Sequence, residues 1–122
     1  MKEKDFYLKG KLKNLLTDWQ EAEGCIATDE IMVKGRKVGY CYRELPDDDS
    51  KFGGFDSGWR FTAGDESDDY MDNPENSGIY ELNSICNYDP DIIPLLNAPY
   101  GTAFFRNKNG IFEQEDFQPP TE

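Results

Sequence analysis

The sequence predicts a single compact α+β domain, with an N-terminal amphipathic helix, a mainly antiparallel twisted sheet and one short late helix. Three observations carry that prediction. An apolar stripe at helical spacing runs from Leu12 to Ala22. From Gly24 onward the apolar period drops to two, the spacing of half-buried strands. Late in the chain, Asn87-Tyr88-Asp89-Pro90 is a helix-start signal, with Asp89 as N-cap and Pro90 at the first helical position. A length of 122 residues suits one domain and leaves no room for a second. With 8 Phe, 7 Tyr and 2 Trp the core can be well filled, so a net charge of −12 does not imply disorder.

Taken in order, residues 1–10 read as a flexible lead-in to a domain spanning 11–117. Within 11–23, Leu12, Leu15, Leu16, Trp19 and Ala22 form one stripe, and Gly24 follows as the natural residue past a helix end. Lys11 and Lys13 at its start and Glu21 and Glu23 at its end oppose the helix dipole, so burial of the Leu/Trp face must hold this helix. Cys25–Thr28 reads as a short strand, with Asp29-Glu30 as a break. Ile31–Val33 and Val38–Arg43 flank Lys-Gly-Arg-Lys, where Gly35 can take a positive φ, and so read as a hairpin. In its second arm Val38, Tyr40 and Tyr42 point one way, and Gly39, Cys41 and Arg43 the other. Residues 44–58 have the Pro, Gly and Asp content of a long loop.

A strand at Trp59–Thr62 follows, then an acidic loop, then a strand at Ile79–Leu82. Pro94 would clash with a continuous helix, so the helix opened by Pro90 should run one or two turns. Pro99-Tyr100-Gly101 is a turn, and Thr102–Arg106 pairs with Ile111–Phe117 across Asn109-Gly110. The tail, 118–122, with Pro119-Pro120, reads as disordered. Trp59, Phe61, Tyr40, Tyr42 and Phe104 have core packing as their default role, and Arg60 should face away from Trp59 and Phe61 towards a neighbouring carboxylate.

Charge and cysteines bound the function. Residues 1–43 sum to +2 and residues 44–122 to −14. A half this acidic is repelled by phosphate, so nucleic acid and anionic membrane are poor partners, and a basic protein or a cation is a better one. The N-terminus has lysines but no continuous apolar stretch, and no run approaches bilayer length, so neither a signal peptide nor a membrane span is expected. Cys25, Cys41 and Cys86 are odd in number and lack a CxxC pair, which fits buried thiols in a reducing cytoplasm.

The chain contains no histidine, which removes the commonest general base, the Ser/Cys–His pairs and almost every catalytic zinc arrangement. The GxSxG, GxGxxG and P-loop patterns are absent too, and carboxylate pairs in so acidic a chain discriminate nothing. No enzyme activity and no cofactor are expected. Residues 65–76 also miss the calcium-loop spacing, with Tyr70 where the loop needs Gly. An irregular oxygen site using Asp65, Asp68 and Asp72 stays open, although the expectation is that this loop needs no metal.

The segment Asp56–Glu75 is the most informative stretch. Six carboxylates crowd its second half, and from Glu44 to Tyr100 only Lys51 and Arg60 are basic. Such crowding makes sense where a basic partner meets it, although a charge run is also simply a solvated loop. Tyr70 and Met71 inside it are either a local anchor or a contact point, because aromatics ringed by charge are the composition of a binding hot spot. The expected partner surface is therefore Asp65, Glu66, Asp68, Asp69, Tyr70, Met71, Asp72 and Glu75. A regulatory domain using the same acidic face for a small ligand or metal is the competing reading.

The series CIATDEI (25–31), GRKVGYCYRE (35–44), DSGWRFTAGDESDDYMDNP (56–74), LNSICNYDPDIIPLL (82–96) and PYGTAFFR (99–106) resembles a family of small bacterial proteins. That family is grouped, under the number thirty-three, with the immunity proteins of polymorphic-toxin systems. The resemblance spans roughly residues 24–117, and its GWRF-x-x-GDE core and NYDP helix start are specific. It implies a cytoplasmic protein that binds a cognate toxin and blocks it, and it brings no catalytic residues.

Overall fold

The computed structural model describes residues 7–8, 12–16, 24–44 and 56–116. Among them lie strands β1 (Gly24–Thr28), β2 (Tyr40–Arg43), β3 (Asp56–Thr62), β4 (Ser77–Glu81), β5 (Thr102–Arg106) and β6 (Phe112–Asp116). They form one six-stranded sheet in the order β4-β1-β3-β2-β5-β6. β1 and β3 are parallel, and the other four neighbouring pairs are antiparallel. Three short helices, α1 (Asp29–Met32), α2 (Asp68–Asp72) and α3 (Leu82–Tyr88), join 3-10 turns at Pro74–Asn76 and Pro90–Leu95. The α+β class and the mainly antiparallel sheet agree with the expectation from sequence.

Alternation sorts the sheet into two faces. On one, Cys25, Ala27, Cys41, Trp59, Phe61 and Phe104 form a single buried cluster with Ile31, Leu82, Ile85, Ile92 and Leu96 of the helical segments. Trp59 stacks on Phe61 at 5.7 Å and on Phe104 at 6.3 Å between ring centroids. Its indole N–H donates to the Leu96 carbonyl at 3.2 Å, so burial leaves no polar atom of the ring unsatisfied. Full burial of large apolar side chains such as these stabilises by about 1.5–3 kcal/mol each.

Two buried charged groups lock the periphery. Asp89 is 0% exposed and caps the 3-10 helix Pro90–Leu95, accepting from Asp91 N at 3.2 Å. Its other oxygen accepts from Val38 N at 2.9 Å and pairs with Arg106. Arg106 in turn donates to the Val38 carbonyl at 2.8 Å and to Gly110 O at 3.1 Å. The predicted N-cap thus also ties β5 to the segment leading into β2. Arg43, buried near the opposite end of β2, donates to Ser57 O and Ala98 O, both at 2.9 Å, and lies 4.5 Å from the Tyr100 ring centroid.

Several expectations need correction. Leu12–Leu16 are not helical. Asn83 and Asn87, one turn apart on α3, take the backbone groups that a helix would pair internally. Asn83 accepts from Leu15 N and Leu16 N at 2.8 and 2.9 Å, and Asn87 accepts from Lys13 N at 2.7 Å. Both amides also donate to Lys13 O. Leu16 packs on the core, while Leu12 and Leu15 are exposed. Trp19 and Ala22, the lead-in apart from Tyr7 and Leu8, the 45–55 stretch and the tail lie outside the described residues.

The hairpin at Lys34–Lys37 is also replaced. Asp29-Glu30 starts α1, where acidic residues suit a helix N-terminus, and Ile31 and Met32 turn inward to the core. Gly35, at φ 76°, then ends that helix, its N–H reaching Ile31 O at 3.0 Å. Val38 precedes β2 and is fully buried, apart from the half-buried Tyr40 and Tyr42 with which the alternation grouped it. The sequence reading also placed a strand end at Leu82, which instead opens α3.

Candidate partner-binding site

The turn from β3 into α2 is built by two glycines and one carboxylate. A Cβ on Gly39 would stand 1.9 Å from Ala63 O, so β2 and the end of β3 approach this closely only with glycine there. Gly64, at φ 98°, reverses the chain. Glu66 then binds the turn from inside, accepting from Ala63 N at 2.8 Å, Gly64 N at 2.9 Å and the Thr28 hydroxyl at 2.6 Å. Asp65 points outward into a two-pronged contact with Arg36, both arms at 2.8 Å. Arg36 also donates to Glu30 at 2.8 Å, and Lys34 approaches Glu30 at the same distance. The Arg36 guanidinium holds the Asp65 carboxyl below its ordinary value, and Lys34, then Arg36, do the same to Glu30.

Ser67 caps α2, its hydroxyl accepting from Tyr70 N at 3.1 Å. Asp68 and Asp69 fill the first turn, where the peptide dipoles favour negative charge. Asn73 caps the following 3-10 turn by accepting from Glu75 N at 3.1 Å, and Asn76 donates to Tyr70 O at 3.0 Å. The acidic segment is therefore ordered by its own caps. Tyr70 is half-buried, and its hydroxyl is pushed up by burial and by the nearby Glu30, Asp29 and Glu66 charges. Met71 is 45% exposed. Asp68, Asp69, Asp72 and Glu75 are exposed and enter no ion pair among the described residues.

Beside this segment lies the second face of the sheet. Tyr40 and Tyr42 project from β2, opposite Thr62 and Arg60 of β3. Their rings are 5.9 Å apart and tilted by 45°. Arg60 faces away from the core, as alternation predicts, and pairs with Glu44 at 2.6 Å. A cavity of about 230 Å³ opens between the sheet and α2, lined by Tyr40, Tyr42, Thr62, Gly64, Glu66 and Met71. Burial, more than the adjacent Glu44, raises the Tyr42 hydroxyl above its ordinary value.

The eight residues singled out from sequence therefore fall into groups. Asp65, although exposed, and the half-buried Glu66 are both engaged by contacts within the chain. Tyr70 leans towards α1, while Met71 reaches both solvent and the cavity. Asp68, Asp69, Asp72 and Glu75 form the displayed charge. Sequence reasoning set Tyr40 and Tyr42 on one face but assigned that face to the core, and the aromatic cavity beside the acidic segment followed only from the fold. Among the described residues no group of three or more Cys, Asp or Glu is placed to hold a metal ion. Cys41 is pushed up to about 12 and Cys86 to about 11, both chiefly by burial, which makes them poor nucleophiles.

Displayed carboxylates, an exposed thioether and an aromatic cavity thus lie together on an acidic α+β domain. The family model of the Immunity protein Imm33 domain matches residues 25–116, and this chain belongs to that family. No curated protein and no solved structure matches it. No helix among the described residues is long and apolar enough to cross a membrane.

Proposed function

We propose that this protein neutralises a cognate bacterial toxin by non-catalytic binding in the cytoplasm, through the acidic surface of residues 65–75. Family membership supports the immunity role. The observation that carries the surface assignment is the row Asp68, Asp69, Asp72 and Glu75, exposed around the exposed Met71 and without ion pairs among the described residues. No lysine or arginine occurs between Arg60 and Arg106 to neutralise them. Charge left uncompensated by the fold is favourable once a basic surface covers it, and it steers that surface into place. The toxin face is accordingly basic. Asp65 and Glu66 hold the segment in shape, Tyr70 anchors it to α1, and Met71 supplies the apolar centre.

The test is a pull-down from the native cell with the wild-type chain and with the variant Asp68→Asn/Asp69→Asn/Asp72→Asn/Glu75→Gln. Wild type should retain a basic toxin domain, and the variant should lose it at physiological salt. Recovery of no protein partner by either chain counts against the immunity reading. Equal recovery by both moves the binding surface elsewhere.

A further inference from the structure

We infer that the cavity between β2, β3 and α2 is a cage for one lysine or arginine side chain of the protein partner. The inference rests on the toxin-binding reading for the source of that side chain, but the cage itself is argued from its walls. Tyr40 and Tyr42, with rings 5.9 Å apart and tilted by 45°, give the lining two aromatic side chains, and Met71 joins them in it. Aromatic faces attract a cation through the ring quadrupole when it lies within about 6 Å of the centroid. Thr62 also lines the cavity, its hydroxyl donating to Tyr40 O at 3.1 Å, and Gly64 adds no side chain to the lining.

Glu66 decides the sign of the occupant. It is half-buried in the cavity wall and fixed by three donors from Thr28, Ala63 and Gly64, none of them charged. Among the described residues no lysine or arginine pairs with it. Arg36 is spent on Glu30 and Asp65, and Arg60, on the same face of the sheet, is paired with Glu44. A carboxylate that is partly removed from water and lacks a counter-ion favours a cation beside it. Asp68, Asp69 and Asp72, on the same helix as the lining residue Met71, carry the same sign.

Size selects a side chain over a larger ligand. A cavity of about 230 Å³ holds far more than one water, whose share of liquid volume is about 30 Å³. It falls below the roughly 300–1,000 Å³ of pockets that enclose drug-sized ligands and cofactors. An alkyl stem ending in an ammonium or guanidinium fits both the apolar walls and the charged end.

The test needs no toxin. The full chain is titrated with N-acetyl-arginine N-methylamide and its lysine counterpart, with the norleucine counterpart as uncharged control. The Met71 methyl and the tyrosine ring signals are followed by NMR. A cationic probe should shift them saturably with a dissociation constant on the order of millimolar, while the norleucine probe should bind about threefold or more weaker. Tyr42→Phe keeps the ring face and should keep binding, whereas Tyr42→Leu should weaken it about threefold or more. If Tyr42→Leu fails to fold, the wild-type and Tyr42→Phe titrations still decide. Absence of any saturable shift with both cationic probes overturns the cage, and so does equal binding of the norleucine probe. A positive titration alongside an empty pull-down would sink the toxin reading and leave the cage standing.

Discussion

Tyr70 and Met71 are adjacent in sequence but face different surroundings, and their variants should separate. Tyr70→Ala removes a half-buried ring that joins α2 to α1, so it should lower the melting temperature as well as affinity. Met71→Ala removes an exposed side chain, so stability should stay within about 0.5 kcal/mol while the off-rate rises by an amount worth about 2 kcal/mol. Measuring both quantities on the same samples settles the roles. A marked drop in melting temperature for Met71→Ala, with affinity unchanged, would make it packing and remove the centre of the proposed surface. Asp89→Ala is the stability control. Breaking a buried pair leaves Arg106 and Val38 N without their partner and should cost about 3–5 kcal/mol by denaturant unfolding. Asp89 was legible as an N-cap from the Asp-Pro dipeptide alone. Its bond to Arg106 was not, since the two residues lie 17 positions apart along the chain.

At the scale of elements, the contact between α1 and the Asp65 turn has a pH signature. Glu30 and Asp65 have folded-state values below their ordinary 4.5 and 3.8. Groups depressed by folding contribute stability above their unfolded values and lose it as pH falls through the folded ones. The difference in melting temperature between wild type and Arg36→Gln should therefore be constant at neutral pH and shrink below about pH 4. A gap that persists well into acid would mean that Arg36 acts through packing instead. Helix α3 makes the second prediction. Asn83→Ala/Asn87→Ala should speed hydrogen exchange at Lys13, Leu15 and Leu16 while the β3 amides stay protected. Unchanged exchange at those three amides would show that residues 12–16 are held by Leu16 packing alone. Leu82, Ile85 and Cys86 already spell the buried face of α3 at i, i+3 and i+4, but so short a run is also compatible with the end of a strand.

Over the whole molecule, electrostatics should govern how fast a partner arrives more than how long it stays. Neutralising Asp68, Asp69, Asp72 and Glu75 should slow association with a basic toxin and flatten its dependence on salt, because exposed charge acts over about 10 Å at 0.1 M ionic strength. Stopped-flow association at several salt concentrations measures this directly. An association rate and salt slope matching wild type would mean that steering comes from elsewhere in the net −12 chain.

Taken by itself, the sequence determined the α+β class, the alternation within β2 and β3, the Asn109-Gly110 hairpin, the Asp89 cap and the family. The family shows in segments spread over residues 25–116, and the others rest on residues near one another along the chain, whose spacing or turn chemistry speaks without the fold. Tertiary structure decided the rest. Leu12–Leu16 had a helical stripe, yet the amides of Asn83 and Asn87, far along the chain, claimed the backbone groups a helix would have used. Gly35 could end a helix or turn a hairpin, and burial of Ile31 and Met32 in a core assembled from distant elements selected the helix. The cavity arose in the same way: Tyr40, Tyr42, Glu66 and Met71 meet only because β2 pairs with β3 and Glu66 folds the following turn back against them. Pairing between strands distant in sequence is set by the packing of the whole core, and no local window of the chain contains it.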